Sequence, residues 1–474
     1  MTDQNTRTPE AIASVIKAYD VRGVVGDGID ADLVRDIGAA FGLLMRNEGA
    51  STVVVGHDMR DSSPGLSAAF AEGVNSQGLD TVSLGLTSTD ELYFASGTAD
   101  CPGAMFTASH NPAKYNGIKL CRSGARPVGQ ETGLAEISAM LVDGVPAYDG
   151  AAGTGTEKDV LADYAAFLHG LVDLDIRPLT VAVDAGNGMG GLTVPAVLGE
   201  DSGVPVTVKP LYFELDGTFP NHEANPLAPE NIVDLQKFTV EQGADLGVAF
   251  DGDADRCFIV DELGEPVPPS AICGIIAERY LADNPGATII HNLITSKAVA
   301  EIVRENGGTP VRTRVGHSFI KSRMAEENAV FGGEHSAHYY FSDFFNADSG
   351  MLAALHVLAL LGTQDKPLSE LKQAYSRYEA SGEINSQVDD QAGRTAAVVE
   401  AFADESGSTD DLDGVTVELT DGSWFNIRAS NTEPLLRLNV EAATDERVSA
   451  IVDKALGVIR GRFKNGRKHE YYTG

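Results

Sequence analysis

The sequence predicts an α/β protein, with three similar α/β blocks followed by a smaller C-terminal α+β unit. Three observations carry this reading. Short apolar runs of strand length alternate with helical patterns, as in parallel sheets with crossover helices. Residues 143–157 are small, polar and glycine-rich, the composition of a boundary between domains. From about residue 376 the alternation gives way to successive strands closed by one helix.

In order, the first block opens with a lead-in from Ile12 to Asp20 that runs into Tyr19-Asp20-Val21-Arg22-Gly23. Helical patterns over 30–47 and 64–77 flank a buried-strand pattern over 52–56; 81–84 and 103–106 read as further strands. The second block has a helix over 158–172 and strands over 179–184 and 246–250. The third has helices over 270–283, 296–306 and 318–327, strands over 287–291 and 310–313, and an end blurred by a helix over 349–361. The last unit has strands over 379–388, 414–419, 424–429 and 435–441, then a helix over 445–463. The expected domains are 1–155, 156–265, 266–372 and 373–474. The blocks share a pattern of elements but no sequence repeat.

Composition narrows the function. The chain of 474 residues is 43% hydrophobic, enough for sizeable cores. Its 69 acidic and 35 basic side chains give a net charge of -34, which argues against nucleic acid or an anionic membrane as partner. A phosphate ester as substrate would need positive charge concentrated locally against that field. Cys101, Cys121, Cys257 and Cys273 form no Cys-x-x-Cys pair and read as free thiols in a reducing compartment. The polar start Met1-Thr2-Asp3-Gln4-Asn5 lacks a signal pattern, and no run of about 18 apolar residues occurs; the expected location is the cytoplasm.

Four motifs carry chemistry. Thr107-Ala108-Ser109-His110-Asn111-Pro112 follows a short apolar strand, and Pro112 breaks regular structure. A serine on such a break is exposed and aimed, as a nucleophile must be, although in isolation Ser109 and Asn111 read first as caps of a turn. Asp251-Gly252-Asp253-Ala254-Asp255-Arg256 directly follows an apolar strand. Its carboxylates at i, i+2 and i+4 lie on one side of an extended segment, and small Gly252 and Ala254 let the chain curl so that three oxygens converge on a hard cation. Mg²⁺ is favoured where a phosphate shares the shell, and Arg256 offers that phosphate a planar donor pair. A calcium loop is the rival reading, since Glu262 stands at its twelfth place, but Arg256 occupies the position that needs glycine and the flanks read as strands. Gly186-x-Gly188-x-x-Gly191 matches a dinucleotide fingerprint, yet reads better as a tight strand-to-helix turn. Arg428-Ala429-Ser430-Asn431-Thr432 gathers a guanidinium, two hydroxyls and an amide at a strand end, a phosphate cradle or a polar turn. Glu334, Ser336 and His338 share one side if residues 333–338 are extended, and a carboxylate with a hydroxyl suits sugar hydroxyls.

Together with Tyr19-Asp20-x-Arg22-Gly23, these motifs resemble the α-D-phosphohexomutase family, in particular its bacterial phosphomannomutase/phosphoglucomutase type, over nearly the whole chain and in family order. The resemblance implies four domains around a central cleft, three α/β and one α+β, each giving one loop. It implies Ser109 as the phosphoserine and Asp251, Asp253 and Asp255 with Ser109 as the site of one Mg²⁺. Glu334 and Ser336 would hold sugar hydroxyls, and Arg428, Ser430, Asn431 and Thr432 the non-reacting phosphate. Tyr19, Arg22, His110, Lys119, Lys297, His317 and His338 are the other expected cleft residues, with Lys119 or His110 as proton carrier beside Arg256. The implied reaction moves phosphate between the 1 and 6 positions of mannose or glucose phosphates through a hexose 1,6-bisphosphate, which also serves as activator. The alternatives are a phosphoglucosamine mutase and a metal-dependent sugar phosphatase. A monomer or homodimer is expected. His335 and Ala337 depart from the sugar loops typical of the family, which leaves the preferred sugar open.

Overall fold

The computed structural model describes residues 7–430 and 435–461, apart from the side chain of His317. Four sheets organise them. The first runs Val21–Val24, Tyr115–Arg122, Gly103–Phe106, Thr52–His57, Asp80–Leu86 and Gly155–Glu157, with Arg126–Pro127 beside Tyr115–Arg122. The second runs Pro266–Val267, Cys257–Asp261, Leu246–Phe250, Leu179–Asp184 and Val206–Leu211. The third runs Thr309–Thr313, Thr288–Asn292, Phe331–Gly333, Tyr339–Phe341 and Ala347–Asp348.

These three sheets share one wiring. A central strand has parallel neighbours on both sides, and an antiparallel strand lies beyond the later neighbour. The turn into that antiparallel strand is residues 107–114 in the first sheet, 251–256 in the second and 334–338 in the third. The serine, carboxylate and sugar-loop motifs therefore occupy equivalent places, at the carboxyl ends of parallel strands where open α/β sheets form their crevices. Each turn holds a non-glycine residue in the left-handed region: Ser109 (φ 48°), Ala254 (φ 62°) and Ala337 (φ 66°).

Glycines set the spacing of the layers. The helices Ala31–Asn47 and Ser63–Ser76 cross so closely that a Cβ on Gly38 would lie 2.2 Å from the Phe70 carbonyl oxygen, and one on Gly73 2.0 Å from that of Arg35. The helix Gly350–Gly362, which blurred the third block in the sequence, is buried nearly all round, so its apolar surface has no solvent face to mark it as amphipathic. It fills the space between the second and third sheets, with Gly350 against the Arg256 backbone and Gly362 against Ile176.

The fourth sheet is antiparallel throughout, in the order Glu379–Gln387, Leu435–Ala442, Trp424–Ala429, Val415–Leu419 and Ser406–Asp410. The helices Gln391–Ala401 and Asp445–Ile459 share with this sheet a core separate from the large core that runs through the first three units. Two of its elements were not anticipated. Gln391–Ala401 has Val398 as its one fully buried residue, and Ser406–Asp410 is polar, exposed and bulged, so neither carries a hydrophobic period. The glycine-rich stretch 143–157 likewise ends in an exposed edge strand, Gly155–Glu157, and the last helix ends at Ile459 among the described residues. The fourth unit meets the third through polar contacts: Lys297 N to Glu441 Oε1 at 3.2 Å, Val315 N to Asp413 Oδ2 at 3.1 Å, and an Arg312–Asp410 ion pair.

Candidate active site

Ser109 sits on the first of the equivalent turns, 5% exposed. Thr107 Oγ1 accepts from its backbone N–H at 2.8 Å. Beneath the turn lies Arg60, itself 1% exposed. Its Nη2 donates to the carbonyls of Ser109 (2.9 Å) and Asn111 (2.7 Å), its Nη1 to those of Pro112 (3.0 Å) and Tyr115 (3.2 Å), and its Nε to Asp58 (3.1 Å). One buried guanidinium thus satisfies four carbonyls that regular structure would otherwise pair. Arg22 adds a bond to the Ala108 carbonyl and one to Asn111.

The carboxylate turn meets the serine turn directly. A Cβ on Gly252 would lie 2.4 Å from the Ser109 carbonyl oxygen, and one on Gly188 2.7 Å from the Gly252 carbonyl oxygen. The fingerprint-like glycines thus serve close packing of a strand-to-helix turn. Residues 251–255 are not extended as the i, i+2, i+4 reading required; the chain turns through Ala254, and the turn makes the oxygens of Asp251, Asp253 and Asp255 converge within 4.8 Å. Ser109 Oγ donates to Asp251 Oδ2 at 2.8 Å, and Arg256 Nε donates to the same oxygen at 2.9 Å. Lys119 Nζ reaches Asp253 (2.6 Å) and Asp255 (2.5 Å), and the Thr89 hydroxyl donates to Asp253 at 2.6 Å. Asp253 Oδ1 and Asp255 Oδ1 are buried without a hydrogen-bond partner among the described residues. Unpaired buried carboxylate oxygens are costly, and converging hard oxygens are what a divalent cation takes, so this donor set fits a metal of the Mg²⁺ kind.

The site's electrostatics are strongly biased. Burial, reinforced by the neighbouring Asp255 and Asp253, raises Asp251 to about 7 against the pull of Arg256. Burial together with Arg256 and Arg22 pushes His110 down to about 2, and its Nδ1 accepts from Arg256 at 2.6 Å. Burial pulls Lys119 down, but Asp253 and Asp255 outweigh it and hold the ammonium well above the ordinary lysine range.

The sugar-loop motif forms a hairpin turn instead of an extended run. Glu334 N donates to the His338 carbonyl (3.0 Å) and Ala337 N to that of Glu334 (3.1 Å). The three side chains still meet: Ser336 Oγ lies 3.3 Å from Glu334 Oε2 and 3.0 Å from His338 Nδ1. Tyr340 OH and Gly316 N donate to the Glu334 carboxylate, and His338 Nε2 stands 3.8 Å from Asp255. This turn therefore adjoins the carboxylate turn.

The remaining expected residues divide. Tyr19 packs edge-on against Phe319 and beside Gly316, and its hydroxyl, raised by burial, also feels Glu334 and Arg428. Arg428 is 7% exposed at the end of its strand and pairs with Glu383, and Ser430 N donates to the Leu435 carbonyl at 2.8 Å. Asn431, Thr432 and the His317 side chain lie outside the described residues. Lys297 is not brought to the carboxylates: its Nζ donates to the Gly422 carbonyl at 2.6 Å and lies over the Tyr378 ring. Arg60, Thr89 and Glu383 escaped the sequence reading. Arg60 follows a buried strand in a polar loop, a weak signal, and apart from Asp58 beside Arg60 the partners of all three are distant in sequence.

The four sheets and the serine held against carboxylates define a class, a multidomain α/β phosphotransferase. Comparison with known proteins agrees. Residues 13–143, 162–264 and 268–378 match the family patterns described as phosphoglucomutase/phosphomannomutase alpha/beta/alpha domains I, II and III, and residues 383–458 match its C-terminal domain. A phosphomannomutase of Escherichia coli K12 is 40% identical over 437 residues, covering 90% of this chain and 95% of that one. The phosphohexose mutases of Xanthomonas campestris (strain ATCC 33913) are 41% identical over the same shares. The crystal structure of a phosphoglucomutase/phosphomannomutase family protein from Burkholderia thailandensis superposes with a TM-score of 0.86 at 32% identity, covering 95% of this chain and 98% of that one. The chain belongs to the phosphoglucomutase/phosphomannomutase family and is a phosphosugar mutase. Among the described residues no helix is long and apolar enough to cross a membrane.

Proposed function

We propose that this enzyme moves phosphate reversibly between the 1 and 6 positions of mannose and glucose phosphates through a phosphoserine at Ser109 and a hexose 1,6-bisphosphate. The observation that carries this reading is the 2.8 Å contact between Ser109 Oγ and Asp251, with Arg256 on the same Asp251 oxygen and Lys119 on the neighbouring Asp253. Asp251, Asp253 and Asp255, with an oxygen on Ser109, would hold one Mg²⁺, which when bound supplies charge neutralisation for the phosphoryl group.

Phosphoryl transfer asks the protein chiefly for positioning and charge. In the forward step the bond between phosphorus and Ser109 Oγ breaks, a bond to the sugar hydroxyl oxygen forms, Ser109 Oγ gains a proton and the sugar hydroxyl loses one. Arg60 and Arg22 fix the serine turn, and Arg256 faces the transferring group. Both candidate proton carriers stand at the site in complementary states: Lys119 holds a proton at Nζ that it can give to Ser109 Oγ, and His110, neutral between two guanidiniums, can take up the one that the sugar hydroxyl loses. Glu334 and Ser336 read the hydroxyls at C3 and C4 and leave C2 unread, so mannose and glucose are both accepted. The cradle at 428–432 holds the non-reacting phosphate. The bisphosphate turns end for end and also serves as activator.

The test is product analysis on mannose 1-phosphate and glucose 1-phosphate with Mg²⁺ and bisphosphate. The isomeric 6-phosphates are expected, and galactose 1-phosphate, inverted at C4, is expected to react poorly. Released inorganic phosphate as the main product would make the enzyme a phosphatase. Glucosamine phosphate outrunning both sugars would make it a phosphoglucosamine mutase.

A further inference from the structure

The fourth sheet has one apolar and one polar face. Phe425, Ile427, Leu436, Leu438 and Val440 enter the core, while Asn426, Arg428, Arg437 and Asn439 alternate with them and so take the opposite face. Arg428 and Arg437 are directly opposite each other across antiparallel strands, a destabilising placement for like charges. Among the described residues Arg428 Nε, Arg437 Nε and Asn439 Nδ2 are buried without a hydrogen-bond partner. Each buried donor left unpaired calls for an acceptor, and an anion arriving on this face would supply one.

One carboxylate serves both guanidiniums. Glu383 Oε2 accepts from Arg428 Nη2 at 2.5 Å, and Glu383 Oε1 stands 3.5 Å from Arg437 Nη1. Its side chain is 28% exposed, whereas Arg428 beneath it is buried, so Glu383 covers Arg428 from the open side. A β-bulge aims it there: the register of Glu379–Gln387 shifts between Ala380 and Glu383, Gly382 takes φ 65°, and Ser381 Oγ accepts from Val440 N at 2.9 Å. Bulges of this kind re-aim a side chain next to a site. From the third unit His335 faces the pair closely enough to feel both the Glu383 and the Arg428 charge.

We propose that Glu383 is a resident counter-ion of the phosphate cradle: it occupies the guanidiniums of Arg428 and Arg437 in the free enzyme and is displaced by the phosphate of the sugar. This rests on the cradle reading given above. A planar carboxylate and a phosphate oxygen pair use the same donors, so the two anions compete, and the competition lowers phosphate affinity. The consequence is a site that releases and recaptures a bisphosphate readily, as an intermediate that must turn over in the cleft requires.

The experiment is calorimetric titration of the full chain with inorganic phosphate, alongside KM and kcat, for Glu383→Gln, Glu383→Asp and Arg428→Ala. Glu383→Gln keeps the shape and removes the competing charge. It should bind inorganic phosphate about three- to tenfold more tightly and lower KM by a similar factor, with kcat reduced because the bisphosphate is released less readily. Glu383→Asp, too short to reach both guanidiniums, should shift both in the same direction by less. Unchanged or weaker phosphate binding in a folded Glu383→Gln protein overturns the proposal, because a carboxylate that merely props the arginines would weaken the site when removed. If Glu383→Gln does not fold, the Glu383→Asp result decides alone. Should Arg428→Ala bind phosphate normally, the cradle reading itself fails; loss there with no effect at Glu383 overturns the counter-ion proposal alone.

Discussion

Ser109 is aimed by neighbours far from it in sequence. Its left-handed φ of 48° is held by the Thr107 hydroxyl and by the Arg60 clamp, and Asp251 accepts from its hydroxyl. Ser109→Ala should therefore fold normally, carry no phosphate by intact mass, and turn over several orders of magnitude more slowly, since the proposed covalent route is gone. A fully active alanine variant would remove Ser109 from its proposed role. Asp253 carries one of the oxygens without a hydrogen-bond partner among the described residues, with Thr89 and Lys119 on the other. Asp253→Asn removes one formal charge from the carboxylate site, so calorimetry should show much weaker Mg²⁺ binding and the rate should need more Mg²⁺. An unchanged Mg²⁺ dependence would place the metal elsewhere. Arg60→Lys keeps the charge but loses the fork that reaches four carbonyls. It should lower kcat by about ten- to a hundredfold while KM changes little, because positioning of the serine is lost and the cradle is untouched. A matching rise in KM would instead mean that Arg60 shapes binding.

Among the elements, the crossing of Ala31–Asn47 and Ser63–Ser76 depends on two glycines facing backbone. Gly73→Ala would drive a methyl group to 2.0 Å from the Arg35 carbonyl oxygen, where no side chain can move aside. Overpacking of a tight crossing costs about 1–3 kcal/mol or more, so thermal unfolding should begin several degrees lower. Gly65 on the same helix meets nothing within 4 Å, and Gly65→Ala should leave the melting temperature unchanged or slightly raised. Equal melting temperatures for the two variants would mean that the helices slide freely. The repeated wiring of the first three sheets makes a related point. Three turns with unlike sequences hold equivalent places because each joins a parallel strand to an antiparallel return.

Across the whole molecule, three units meet at one carboxylate. Asp90, in the helix Thr89–Ala99, accepts from Ser88, from Tyr164 OH at 2.6 Å and from Ser349 Oγ at 2.7 Å. Burial outweighs these hydrogen bonds and raises its pKa from 3.8 to about 6. The fold thus favours the protonated form. The stability that Asp90 contributes is fully present below about pH 4 and is lost as pH rises through about 6, on the order of 3 kcal/mol from the size of the shift. Asp90→Asn has no charge to bury. Its melting temperature relative to the unmodified protein should climb between pH 4 and 6 and then level off. A difference that stays flat over that window would mean that Asp90 is ionised in the fold at all of these pH values.

What the sequence determined by itself is local. Apolar runs of strand length, a change of pattern near residue 376 and compact motifs of adjacent residues were legible because period and spacing are properties of a short stretch of chain. Ser109 and the carboxylates at 251, 253 and 255 were singled out this way, and the structure brings them together. The tertiary structure alone decided what depends on distant partners. It turned the two motifs read as extended into tight turns, it left Lys297 with Gly422, and it set Arg60 under the serine and Glu383 over Arg428. Gly350–Gly362, read from the sequence as a helix over 349–361 that blurred the end of the third block, is buried nearly all round, and Gln391–Ala401, which escaped that reading, is nearly unburied. Neither has one wet and one dry face, and that contrast is the physical signal by which a sequence announces a helix.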